Sequence, residues 1–163
     1  MDKSASDLAS AIQVTIGDSW LPRIYRERIL KMRTRAYEFP ALPKNAAPQI
    51  HHTLLGIELK VGRRRMLCPD LATARYLCVF ARIGCKAVAI PYDITKISQV
   101  ADELESSWYR ILLFADEATH QSAETLRGRL RRMLVERMRE EITQAGAGAR
   151  SPEFARSTKQ RQR

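Results

Sequence analysis

The stretch Gly56-Ile57-Glu58-Leu59-Lys60-Val61 sets an acid and a lysine two positions apart. On a β-strand such residues project from the same face. A carboxylate there can hold a divalent metal while the ammonium meets a scissile phosphate or the attacking water. Just beyond, Arg63-Arg64-Arg65 places three guanidiniums in succession. The planar fork of a guanidinium suits phosphate oxygens and base edges better than a plain ammonium does. Further arginines lie on helical patterns: Arg26 and Arg33 toward the N-terminus, Arg127, Arg131 and Arg132 toward the C-terminus. With Arg63, Arg64 and Arg65 they are the expected nucleic-acid contacts. Residues 121 to 163 contain eleven basic and five acidic residues, and residues 56 to 86 contain seven and two, so positive charge gathers in two places.

The whole chain is basic. Its 163 residues include 28 Lys and Arg against 18 Asp and Glu, a formal net charge of +10. A polyanion is therefore the first partner to expect. With 45% hydrophobic and 28% charged residues, the composition is that of a folded chain able to bury a core. No apolar run approaches the ~18 residues of a membrane span, so no membrane partner is expected. Cys68, Cys78 and Cys85 sit ten and seven positions apart among apolar neighbours. Zinc ligands usually pair about two to four apart, so these read as reduced core thiols. Met1 to Gly17 has neither the basic start nor the apolar core of a secretory signal, which together with the thiols points to the cytoplasm. His51, His52 and His120 make no triad, and the adjacent pair would face opposite ways on a strand. There is no glycine-rich phosphate loop, no G-x-S-x-G and no H-E-x-x-H. No cofactor is expected except Mg2+ or Mn2+ in the case that Glu58 and Lys60 are catalytic.

Periodicity predicts the elements that must position these groups. Leu8, Ile12 and Ile16 step by four and predict a short helix before Gly17-Asp18-Ser19. Leu21, Tyr25, Ile29, Met32, Ala36 and Phe39 step by three and four, predicting a helix from Trp20 to Tyr37 with Pro22 in its first turn. Pro40 to Gln49 holds three prolines and reads as a loop. Ile50 to Val61 reads as one strand, Gly62-Arg63 as a tight turn and Arg64 to Cys68 as the return strand of a hairpin. Asp70 is a good cap for an apolar helix, Leu71 to Ile83, that stops at Gly84. Ala87 to Ile90 is then a strand covered on both faces, completing a right-handed βαβ unit. Asp93 or Thr95 starts a long helix to about Phe114, and Ser122 caps a last one ending at Ala145 to Gly148. Trp20, Tyr25, Tyr76 and Trp108 fall on apolar stripes, as core rather than base-stacking groups. The fold class expected is α/β, with α+β as its variant: a small mixed three-stranded sheet, hairpin plus βαβ, flanked by four to five helices. Residues 1–148 are expected to form a single domain and residues 149–163 a disordered basic tail.

The Glu58-Leu59-Lys60 strand, the short return strand, the apolar helix (Leu77 to Phe80, Gly84) and the strand Ala87 to Ile90 resemble the second half of the PD-(D/E)XK nuclease core, as in archaeal Holliday-junction resolvases. A leading helix carrying Glu27 is also similar. The resemblance implies a divalent metal at Glu58, with Lys60 at the phosphate. That family places a metal-binding aspartate ahead of the motif, whereas Pro40 to Ile57 contains no acid and Asp70 follows the motif at a helix start. The expected function is non-enzymatic: a cytoplasmic protein binding nucleic acid, or another acidic partner, through an arginine-rich hairpin, helix and tail. Two alternatives stand beside it. One is a metal-dependent nuclease using Glu58 and Lys60. The other is a homodimer in which the acidic helix Thr95 to Phe114 meets the basic helix Leu126 to Ile142 of a second copy.

Overall fold

The computed structural model describes residues 4–43 and 47–148. The expected basic tail, residues 149–163, lies outside the described residues.

Helix α1 (Ala5–Ile16) begins at Ser4, whose hydroxyl accepts from the Asp7 N–H at 3.1 Å, and it buries Ala9, Ile12 and Ile16. A 3-10 turn (Gly17–Ser19) leads into α2 (Leu21–Ile24), with Pro22 in its first turn. A π-turn (Tyr25–Ile29) follows, closed by the Leu30 N–H on the Tyr25 carbonyl at 3.0 Å. Here the helix expected to reach Tyr37 stops. Thr34–Glu38 is a strand, β1.

The reason lies in the strand it serves. Ala87–Pro91 (β5) is buried at Val88, Ala89 and Ile90, and a buried strand needs partners for its N–H and C=O groups on both edges. β1 pairs with it antiparallel, from Thr34 opposite Pro91 to Glu38 opposite Ala87. On the other edge two tyrosines stand in for a strand. The Tyr25 hydroxyl accepts from the Ala89 N–H at 2.8 Å, and the Tyr76 hydroxyl donates to the Ala89 carbonyl at 2.5 Å. The Tyr25 hydroxyl directs its own proton to the Gly146 carbonyl at 2.6 Å. The expected βαβ crossover is therefore absent from the described residues, because the hairpin never pairs with β5. The fold is mixed α/β as expected, but its strands form two small antiparallel sheets, β1-β5 and β2-β3-β4, in place of one mixed sheet.

The second sheet also divides differently. The run expected as one strand, Ile50 to Val61, is β2 (Gln49–Thr53) and β3 (Gly56–Val61) joined at Leu54-Leu55. Thr53 and Gly56 face each other across this tip. The Thr53 hydroxyl accepts from the Leu55 N–H at 3.1 Å and donates to the Gly56 carbonyl at 3.0 Å, closing the turn locally. β4 (Arg64–Cys68) then returns through the expected turn at Gly62-Arg63.

Helix α3 (Leu71–Ile83) has the expected bounds. Asp70 accepts from the Thr73 N–H at 2.7 Å, and Gly84 ends the helix at φ 89° in the left-handed region. Helix α4 (Ile94–Ala118) starts at Asp93 and runs one turn past Phe114. Helix α5 (Glu124–Ala145) starts at Ala123 with no side-chain cap, so Ser122 does not play that part. α3 packs against the three-stranded sheet and along α4, while α5 packs against α1, α2, α4 and β5. Trp20, Tyr25, Tyr76 and Trp108 are all buried in one continuous apolar cluster that draws on all five helices and on β3, β4 and β5. Among the described residues no helix is long and apolar enough to cross a membrane.

Candidate nucleic-acid interface

β3 is the central strand of its sheet, and its alternation sorts the two faces. Leu59 and Val61 are buried, with Met66 and Cys68 of β4 beside them, on the face that packs against α3. Glu58 and Lys60 project from the opposite face, as the spacing requires. Cross-strand register places Gln49 and Arg65 on either side of Lys60, and His51 and Leu67 on either side of Glu58. The outer face is thus basic toward the β3–β4 turn and apolar toward the β2–β3 tip. Arg63, Arg64 and Arg65 are all exposed at the basic end. Pro43 backs the turn: a Cβ on Gly62, at φ 61°, would lie 2.6 Å from its ring. Between Gln49 and Cys68 there are four Lys and Arg residues and one acid, Glu58. Glu58 lies 3.9 Å from Arg65, too far for a hydrogen bond but close enough to offset its charge partly.

The remaining expected contacts do not join this patch. Arg26 pairs with Glu141 at 3.0 Å. Arg131 makes a bidentate pair with Asp116 at 2.7 and 2.8 Å, and Arg127 lies 3.9 Å from the same carboxylate. Arg33 and Arg35 lie over the Tyr92 ring, 4.9 and 5.9 Å from its centroid. Arg132 is exposed on α5, which makes no extensive contact with the hairpin sheet among the described residues. Arg26, Arg127 and Arg131 therefore tie helices together, and a single landing zone joining α5 to the hairpin does not form among the described residues. Among the described residues, Arg63 and Arg64 have no carboxylate within ion-pair reach.

The acidic helix is likewise occupied within its own chain. Asp102 and Glu105 both pair with Arg75, Glu103 pairs with Arg28, and Asp116 pairs with Arg131. The electrostatic basis for the expected α4-to-α5 homodimer is largely consumed inside one molecule. Arg75, one of two charged residues on the apolar helix α3, ties α3 to α4; only the i,i+3 spacing of Asp102 and Glu105 hints at such a cradle.

The outer face does not fit a catalytic metal. Glu58 is the only carboxylate on its three strands' outer side, and no group of three His, Cys, Asp or Glu among the described residues could hold an ion. The thiols offer no substitute. Cys68, Cys78 and Cys85 are free and buried, and burial raises the pKa of each, that of Cys85 to about 12. They stay protonated at neutral pH and are neither nucleophiles nor ready ligands.

Sequence reasoning missed the tip. Leu54 is fully exposed, Leu55 is 80% exposed and Leu67 is 64% exposed. A Cβ on Gly56 would lie 3.6 Å from Leu67 Cδ1, so Leu67 reaches toward the tip from the neighbouring strand. The signal available was Gly56 following two leucines, without the Asn-Gly or Gly-X pair that marks most two-residue hairpins. Comparison with protein-family models, with curated proteins and with solved structures finds no match to this chain.

Proposed function

We propose that the protein binds nucleic acid through the outer face of the β2-β3-β4 sheet, with the Arg63-Arg64-Arg65 turn and Lys60 as its phosphate contacts. The observation that carries this is a cluster of cations without carboxylates. Among the described residues, Arg26, Arg28, Arg75, Arg127 and Arg131 each have a carboxylate, while Arg63 and Arg64, like Arg129 and Arg132 of α5, have none; Arg63 and Arg64 are adjacent, exposed at the turn and next to the Lys60–Arg65 cross-strand pair. Unneutralised guanidiniums clustered at an exposed turn are a site for a polyanion, whereas neutralised ones are structural. Binding rather than cleavage is proposed, since Glu58 has no second carboxylate beside it. Three buried free thiols suit a reducing compartment such as the cytoplasm.

The test is fluorescence anisotropy on labelled duplex DNA, single-stranded DNA and RNA of mixed sequence. Four phosphate contacts predict about a 150-fold loss of affinity for duplex between about 50 and 200 mM salt. Replacing Arg63, Arg64 and Arg65 together with alanine should flatten that dependence by about three counterions. Affinity independent of salt, or unchanged in the triple variant, rejects the proposal. Plasmid incubated with Mg2+ or Mn2+ should stay uncut; cleavage lost in Glu58→Ala would instead establish a nuclease.

A further inference from the structure

The Leu54-Leu55 tip puts two leucines where surface turns usually carry Gly, Asn, Asp or Ser. Isolated exposed leucines are ordinary, but Leu54, Leu55 and Leu67 are exposed at one end of a single sheet face. The turn does not need them: its closure comes from the Thr53 hydroxyl, bonded to Leu55 N–H at 3.1 Å and to the Gly56 carbonyl at 3.0 Å. Two branched apolar side chains are therefore presented outward on a locally braced hairpin, at the far end of the strand from the arginine turn.

Spacing relates the two ends. Gly56 and Arg63 are separated by the length of β3, roughly 20 Å at ~3.3 Å per residue. That is about six base pairs along a duplex at ~3.4 Å each. Proteins that deform duplex DNA combine these parts: cations on the backbone and an apolar wedge between base steps, unstacking them and bending the axis. Resting on the nucleic-acid proposal above, we infer that the ligand is duplex DNA and that the Leu54-Leu55 tip is a wedge, entering between base pairs about half a helical turn from the phosphates held by Arg63 to Arg65. Charge complementarity selects this occupant. The same end of the sheet offers Arg63 and Arg64 at the turn and Lys60 beside Arg65 on the outer face, against the single acid Glu58. Arginine's fork favours phosphodiesters and base edges over a purely apolar protein partner.

The experiment uses the full chain and a duplex of about 30 bp carrying a fluorophore at each end. Energy transfer between the ends reads bending, and anisotropy of the same duplex reads binding. Wild type should raise the transfer on saturation. Leu54→Ser with Leu55→Ser should bind within about tenfold of wild type and lose the increase; both sites are exposed, and far-UV circular dichroism confirms that the variant folds. Arg63→Ala with Arg64→Ala should lose binding itself. Saturated duplex with unchanged end-to-end transfer, or equal transfer for wild type and the leucine variant, overturns the wedge and leaves the basic face standing. No salt-dependent binding by wild type overturns both. A parallel arm with phosphatidylserine vesicles separates a lipid surface: leucine-dependent vesicle binding without duplex bending assigns the tip to membranes and overturns the inference.

Discussion

Tyr25 is a core residue whose polar atom does the work of a missing strand. Its ring packs edge-on to Phe80 at 5.5 Å between centroids, and its hydroxyl links Ala89 of β5 to Gly146 beyond α5. Tyr25→Phe leaves the buried Ala89 N–H without a partner and should cost about 1–3 kcal/mol. Tyr76→Phe removes a bond to the Ala89 carbonyl alone and should cost less; urea unfolding of both variants checks the order. Ionisation gives a second handle. Burial holds Tyr25 up at about 12 against an ordinary 10.0, and Cys85 at about 12 against 9.0. Both groups lose a proton more easily in the unfolded chain. Their contribution is intact below pH 9 and is lost as pH rises from 9 toward 12, amounting to about 2–3 kcal/mol for Tyr25. Urea midpoints should be level to about pH 9 and then fall. Cys85→Ala should shrink the part of the fall between 9 and 10, where only thiols titrate, leaving the share of Cys68 and Cys78; an unaltered profile would place the cause elsewhere.

At the level of elements, local chemistry in the sequence settled some boundaries and tertiary demand settled others. α3 was legible to the residue because Asp70 and Gly84 punctuate it. Asp70→Ala should cost about 1 kcal/mol through loss of the cap to Thr73, seen as a lower thermal midpoint with unchanged binding. The stretch from Leu30 to Phe39 was illegible for a physical reason. An apolar spacing of three and four also leaves alternate residues such as Tyr37 and Phe39 available to a strand, and here Tyr37 of β1 meets Phe39, just past its end, edge-on at 5.1 Å. The deciding interaction is the edge of β5, fifty residues further along, which no local window contains. The site was legible in part. Glu58 and Lys60 share a face because a strand's period is two, and Arg63 to Arg65 crowd a turn because they are consecutive. That Arg131 would instead clamp Asp116 follows from how α4 and α5 meet, not from the pattern of either helix.

For the molecule as a whole, a net charge of +10 is unevenly free to act. Much of the arginine on the helices neutralises the acids of α4 and of Glu141, so it belongs to the packing of the helical layer. Of the cations of the hairpin sheet, Lys60 and Arg65 face away from α3 while Arg63 and Arg64 stand exposed at the turn, and among the described residues Glu58 is the one acid paired with them. Stability and binding should therefore separate by region. Arg131→Ala leaves Asp116 with Arg127 alone, 3.9 Å away, and breaks a two-pronged tie between α4 and α5; the pair is partly exposed, so the cost should be about 1 kcal/mol, smaller in high salt, with duplex affinity within about twofold of wild type. Arg63→Ala and Arg64→Ala touch no carboxylate among the described residues and should leave the urea midpoint within about 0.5 kcal/mol while weakening binding by tenfold or more at about 0.1 M salt. Measuring both quantities on all three variants gives a crossed result only if the two arginine populations have separate jobs. If Arg131→Ala also abolished binding without unfolding the protein, the positive field would be acting as one, and the hairpin face would lose its claim to be the interface.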